Sequence, residues 1–156
     1  MNKYCAFAVC ALIALASFGC KDKSRPADLP DDMTPSRITI TQEGEPLAGA
    51  TVELEYTTPV KYTTSGATDE TGVAVMKTYG YAGAQLGTAK VRVSKLVTEG
   101  DSEAEEYGES GSMGTDFNVV DAKYMSFETT DLEITIEKGN ADATFDVGAA
   151  VRDPVK

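Results

Sequence analysis

Between residues 50 and 56, apolar and polar side chains alternate without interruption. Ala50, Val52, Leu54 and Tyr56 fall on one face, and Thr51, Glu53 and Glu55 on the other. A period of two is the repeat of a half-buried strand, because successive side chains point to opposite faces. A helix would scatter the same residues around its circumference. The pattern recurs. Ile38 and Ile40 alternate with Thr39 and Thr41; Ala89, Val91 and Val93 alternate with Lys90, Arg92 and Ser94; Leu132, Ile134 and Ile136 alternate with Glu133, Thr135 and Glu137. Residues 61–68 read as a Thr-rich strand, Val73, Val75 and Lys77 as another, and Thr144-Phe145-Asp146-Val147 as the last. Short strands with turn signals between them, and no convincing helix beyond the N-terminal segment, predict an all-β chain folded as a single antiparallel sandwich of about seven strands.

The punctuation fits that reading. Glu43-Gly44-Glu45-Pro46 forms a turn in which glycine supplies the unusual φ and proline ends the pairing. Asp69-Glu70-Thr71-Gly72 makes a tight turn in which the aspartate bonds its own backbone, and Gly139-Asn140 marks a third. Residues 79–87 read as a glycine-rich loop. Residues 98–116 are acidic, rich in Gly and Ser and almost without aliphatic side chains, so they predict a loop that cannot bury enough to order itself.

The N-terminus has a different character. Lys3 precedes an apolar stretch from Ala6 to Phe18, and small residues surround Cys20. These are the parts of a secretory signal. The run of about 13 residues falls short of the roughly 20 needed to span a bilayer. Ser17-Phe18-Gly19-Cys20 resembles the lipobox of bacterial lipoproteins, departing at Ser17, where that family most often has Leu. The resemblance implies cleavage before Cys20 and acylation of its sulphur. Ordinary secretion is the alternative, because Ala14-Leu15-Ala16 also offers a small-x-small cleavage site. Loss of residues 1–19 removes Cys5 and Cys10 and leaves Cys20 as the only cysteine, with no internal disulfide open to it. An exposed lone thiol in an oxidising compartment invites unwanted pairing, and acylation removes that liability. Each buried methylene contributes about 0.8 kcal/mol, so two or three chains anchor firmly where one holds marginally. Residues 20–36, with three prolines among polar side chains, then read as a lipidated N-terminus and an extended tether. The alternative is that Leu29 or Met33 packs onto the domain as a first edge segment.

Composition prunes the chemistry. The chain has 14 basic and 25 acidic side chains, a net charge of −11, which repels phosphate backbones and argues against nucleic-acid binding. It has no histidine, which removes Ser–His and Cys–His nucleophile pairs and the commonest zinc ligand. It has no tryptophan, which weakens the case for sugar stacking. No pair among the carboxylates is nominated as acid and base by position alone.

Three further stretches carry a family likeness over roughly residues 37–95. Residues 42–52, Gln-Glu-Gly-Glu-Pro-Leu-Ala-Gly-Ala-Thr-Val, open it; Thr68-Asp69-Glu70-Thr71-Gly72-Val73-Ala74 follows, then Gly87-Thr88-Ala89-Lys90-Val91-Arg92-Val93. Their order and spacing resemble the carboxypeptidase regulatory-like, transthyretin-like β-sandwich domains, with Ala89 where that family usually has an aromatic. Arg25-Pro26-Ala27-Asp28-Leu29-Pro30 resembles the segment that follows the lipidated cysteine in small bacterial lipoproteins with one such domain. The resemblance implies an Ig-like or transthyretin-like sandwich over 37–150, carrying the acidic insertion at 98–116 and followed by a tail at 151–156. It further implies a non-catalytic structural or protein-binding module anchored at Cys20 in a bacterial envelope, on the outer membrane or facing the periplasm.

The remaining candidates are weaker. Asp101, Glu103, Glu105, Glu106 and Glu109 could offer oxygens to calcium, but they lack the D-x-[DN]-x-[DN]-G spacing, and runs of like charge are usually solvated. Tyr79, Tyr81 and Tyr107 could form a recognition surface at one end of the sandwich, or Tyr79 and Tyr81 could cover its edge. A secreted soluble domain binding carbohydrate or calcium is the alternative function. No catalytic, cofactor-binding or metal-ligating residue is expected, no cofactor is expected, and no protein partner is nominated.

Overall fold

All seven alternating segments contain strand in the computed structural model, which describes residues 26–27, 29–30, 33–58, 62–99 and 115–154. In the first sheet β1 (Arg37–Gln42) is central. It is flanked by β12 (Ala143–Asp146) on one side and by β2 (Glu45–Pro46) and β5 (Val73–Val75) on the other. The second sheet runs β11 (Glu133–Ile136), β8 (Gly87–Ser94), β3 (Thr51–Tyr56), β4 (Thr64–Ala67), β6 (Lys77–Thr78) and β7 (Tyr81–Ala82). The core draws Ile38, Ile40 and Ala74 from the first sheet and Val52, Leu54, Val91, Val93, Ile134 and Ile136 from the second. The apolar member of each alternating pair faces the opposite sheet, and burying such a side chain contributes about 1.5–3 kcal/mol. The all-β sandwich expected from the alternation is the fold.

One pairing among the named strands is parallel. β12 lies beside β1 in the same direction, with Ile38 opposite Ala143 and Ile40 opposite Phe145. β12 reaches the first sheet from β11 in the second, so it arrives running with β1 rather than against it.

The segment after the Asp69 turn changes sheets. β5 pairs with β1 and β6 with β4, and the buried Met76 sits at the crossing between them. The inward residues here are Ala74, Met76 and Thr78, whereas Val75 is 49% exposed. Val73, Val75 and Lys77 therefore form the outer face of this strand. Such corners are where a sandwich closes. Gly72 makes the approach to this corner possible: its φ is 75°, and a Cβ there would lie 2.6 Å from the Ile40 carbonyl oxygen.

Several boundaries differ from expectation. Pro46 pairs opposite Thr41, so the strand continues through it; its ring φ suits this edge position beside a turn. The glycine-rich stretch at 79–87 contains β7, paired back onto β6. The acidic insertion is narrower than 98–116, since β9 (Leu96–Glu99) and β10 (Thr115–Asn118) pair across it. Within the expected tail at 151–156, β13 (Asp153–Pro154) pairs with β10. A third small sheet, β9-β10-β13, thus extends β8 beyond the sandwich. The expected tether at 20–36 is also shortened. Leu29 is only 3% exposed, and Thr34 exchanges two backbone hydrogen bonds with Ala84, at 3.0 and 2.9 Å. Of the two readings open for this segment, a first edge segment is found at Met33 and Thr34, which lie against Gly83 and Ala84.

Candidate functional site

The strand registers sort the loops onto two ends with different chemistry. At one end lie the start of β1, the end of β3 and the β6–β7 hairpin, because Arg37 pairs with Val75 and Thr64 with Thr78. At the other lie the β1–β2 turn, the Asp69 turn and the β9–β10 arm, because Thr51 pairs with Ser94 and Thr39 with Val73.

The first end is the tyrosine end. Only Tyr79 and Gly80 separate β6 from β7, with φ of 51° and 82°. Two positive φ values in a two-residue connection describe a type I′ turn, which normally takes Asn-Gly. A tyrosine at its first position is costly and uncommon. The residue is 59% exposed, and its ring lies against Tyr62, centroids 4.8 Å apart and tilted by 45°. Tyr79 therefore stands out from the domain rather than covering its edge, while Tyr81 is half-buried. Beneath the hairpin runs a buried hydroxyl chain. Tyr56 Oη lies 3.4 Å from Thr64 Oγ1, which lies 2.9 Å from Thr78 Oγ1, and Thr78 donates to the Gly83 carbonyl at 2.9 Å. Burial raises the Tyr56 phenol above its ordinary pKa, and the Thr64 hydrogen bond opposes that shift.

The same end receives the N-terminal segment. Met76 N–H donates to the Ser36 carbonyl at 3.0 Å, and the Ser36 hydroxyl donates to the Ala141 carbonyl at 2.5 Å. Gly83 abuts Thr34 and Met33; a Cβ there would lie 3.0 Å from the Thr34 carbonyl oxygen. The chain before β1 thus docks beside the tyrosine hairpin.

The second end is acidic. Asp69 Oδ1 accepts the Thr71 hydroxyl at 2.7 Å, the Thr71 N–H at 2.8 Å and the Val73 N–H at 3.0 Å. Those bonds, led by the Thr71 hydroxyl, hold its carboxyl below the usual range. The aspartate bonds its own turn, as its position after Thr68 suggested. Asp146 plays a related part between chain segments, accepting from Gly44, Gly148 and Thr41. On the projecting arm, Thr98 donates to Asp116 at 2.6 Å, Arg152 pairs with Glu99, and its guanidinium lies 4.2 Å from the Phe117 ring centroid.

Other features of the described residues offer little chemistry. An open depression of about 280 Å³ lies over β4 and β5, lined by Gly66, Ala67, Asp69, Val73, Val75 and Lys77. It has a single carboxylate, already bonded within its turn, and no convergent polar groups. No group of three His, Cys, Asp or Glu side chains capable of holding a metal occurs among the described residues, and no helix there is long and apolar enough to cross a membrane. Cys20, Tyr107 and the carboxylates Asp101, Glu103, Glu105, Glu106 and Glu109 lie outside the described residues. The feature that sequence reasoning left as an alternative is the docking of the N-terminal segment on Gly83, Ala84 and Ala141, beside the hairpin that carries Tyr79. Its only trace was Leu29 among polar neighbours. No family model matches this chain, and no curated protein or solved structure shows significant similarity to it.

Proposed function

We propose that this chain is a lipid-anchored protein of a bacterial envelope, held by acyl groups on Cys20, on the outer membrane or facing the periplasm. Its carboxypeptidase regulatory-like, transthyretin-like sandwich serves as a non-catalytic structural or protein-binding module. The observation that carries this reading is the lipobox-like Ser17-Phe18-Gly19-Cys20 ending an export signal, with Cys20 only nine residues before the buried Leu29. A sandwich with a continuous apolar core and short, internally bonded turns suits a rigid carrier of loops, and loops on such a scaffold carry binding. The lack of histidine throughout the chain weighs against a hydrolytic role.

The test is metabolic labelling with a palmitate analogue. The wild-type protein is expected to take the label and partition with membranes, and Cys20→Ala to do neither. A wild-type protein recovered soluble and unlabelled, with its mature N-terminus at Ser17 by intact mass, would instead support a secreted binding domain.

A further inference from the structure

We infer that the tyrosine end of the sandwich faces the lipid surface and seats the exposed Tyr79 ring in the headgroup layer, so that the acidic arm projects away from the membrane. This inference rests on the Cys20 anchor proposed above and concerns how the anchored domain is oriented.

Chain length sets the first constraint. The nine Cα–Cα steps from Cys20 to Leu29 reach at most about 30 Å when fully extended. Leu29 is buried, and the bonds at Thr34 and Ser36 hold the following residues to the end that carries the β6–β7 hairpin. In the other direction, β8 and β9 run from Gly87 to Glu99, which spans about 40 Å of strand. The anchor therefore reaches the tyrosine end with ease, and the acidic arm only if the domain lies on its side.

The side chains at the two ends set the second. Tyrosine is enriched where membrane meets water, because its ring is apolar and its hydroxyl remains hydrated. Tyr79 has that disposition, 59% exposed and tilted against Tyr62 at the tip of a turn whose backbone disfavours a tyrosine. Among the described residues charge at this end is balanced: Arg37, Lys77 and Lys138 are exposed there beside Glu55, Glu137 and Asp142. At the opposite end Glu43, Glu45, Asp69, Glu70, Glu99, Asp116 and Asp146 outnumber Lys95 and Arg152. An anionic leaflet attracts basic groups by about 1 kcal/mol each and repels acidic ones within a Debye length. Counted over the described residues, the tyrosine end meets less of that repulsion than the acidic end.

The absence of tryptophan from the chain makes the orientation measurable. Full-length lipidated protein carrying Tyr79→Trp, and separately Leu96→Trp at the 59% exposed position on the arm, is reconstituted into phosphatidylethanolamine–phosphatidylglycerol vesicles containing shallow-brominated lipid. With the protein floating with the vesicles, emission from position 79 is expected to shift to the blue and to be quenched several-fold more than emission from position 96. Flotation with equal quenching at both positions, or stronger quenching at 96, overturns the orientation while leaving the anchor intact. Failure to float, with Cys20 unmodified by mass, overturns the anchor and the orientation with it.

Discussion

The Asp146 carboxylate accepts the Gly44 backbone N–H at 2.8 Å, tying the turn after the first strand to the end of β12. The same carboxylate takes the Gly148 N–H and the Thr41 hydroxyl, each at 2.8 Å. This side chain fastens the parallel pair β1–β12, in which the chain's early and late segments meet. The Gly44 bond is the largest cause of its lowered pKa, followed by the Gly148 and Thr41 bonds. Asp69 is lowered by the same kind of bonding within its own turn.

Acid is therefore expected to weaken the domain in a defined window. A carboxylate depressed in the folded state stabilises fully above its unfolded pKa, which lies near about 3.9, and the contribution fades as pH falls through the lower folded value. Urea midpoints should be level near neutrality and drop as pH falls below about 4. Asp146→Ala should unfold at lower urea than wild type at neutral pH, with the gap narrowing in acid. A gap that stays constant across the titration would show that the ionised carboxylate is not what fastens the strands.

The buried hydroxyl chain predicts a second sensitivity. Thr78→Val keeps the shape of the side chain but removes the hydroxyl donor from the Gly83 carbonyl and a partner from Thr64. Loss of a buried partner costs about 1–3 kcal/mol, and chemical denaturation is expected to show a loss of that size. The exposed Thr144 on β12 provides a control, since the same substitution there should change stability little. Equal effects at the two positions would mean that the hydroxyl chain contributes nothing.

The core was legible because it rests on periodicity. Val52, Leu54, Val91, Val93, Ile134 and Ile136 are buried as alternation requires, and the Asp69 turn bonds itself as aspartate before glycine does. The misread elements lack that repeat. β7 and β13 have two residues each, too few to show a period, and each exists only because a partner strand is already in place. In the strand read from Val73, Val75 and Lys77, every residue from 73 to 76 is apolar, so the inward face was not legible; register with β1 turns Ala74 and Met76 inward. The docking of residues 29–36 depends on contacts with Ala84 and Ala141, far along the chain, and local composition carries no sign of those.

That docking leads to a third prediction. A free tether would tolerate Leu29→Ala without consequence, whereas truncating a buried leucine typically costs about 2–5 kcal/mol. Leu29→Ala is expected to lower the unfolding midpoint by an amount near the bottom of that range, because Leu29 is buried outside the main core cluster. It should also speed hydrogen exchange at Thr34 and Ala84, whose amides donate to each other's carbonyls. Unchanged stability and exchange would restore the whole of residues 20–36 to the role of a spacer.

Tyr79 offers the sharpest separation of stability from surface chemistry. It occupies the first position of a type I′ turn, where Asn is favoured and a tyrosine with positive φ carries strain of order 1 kcal/mol. Tyr79→Asn relieves that strain and loses the ring contact with Tyr62 at 4.8 Å, which is worth roughly 0.5–1.5 kcal/mol when fully formed. The ring here is largely exposed, so its contact lies at the low end, and the substituted protein is expected to be at least as stable as wild type. A thermal midpoint equal to or above that of wild type would show that the tyrosine is not there to hold the fold. A clear fall would assign it a structural role, and its exposure would then need no membrane to account for it.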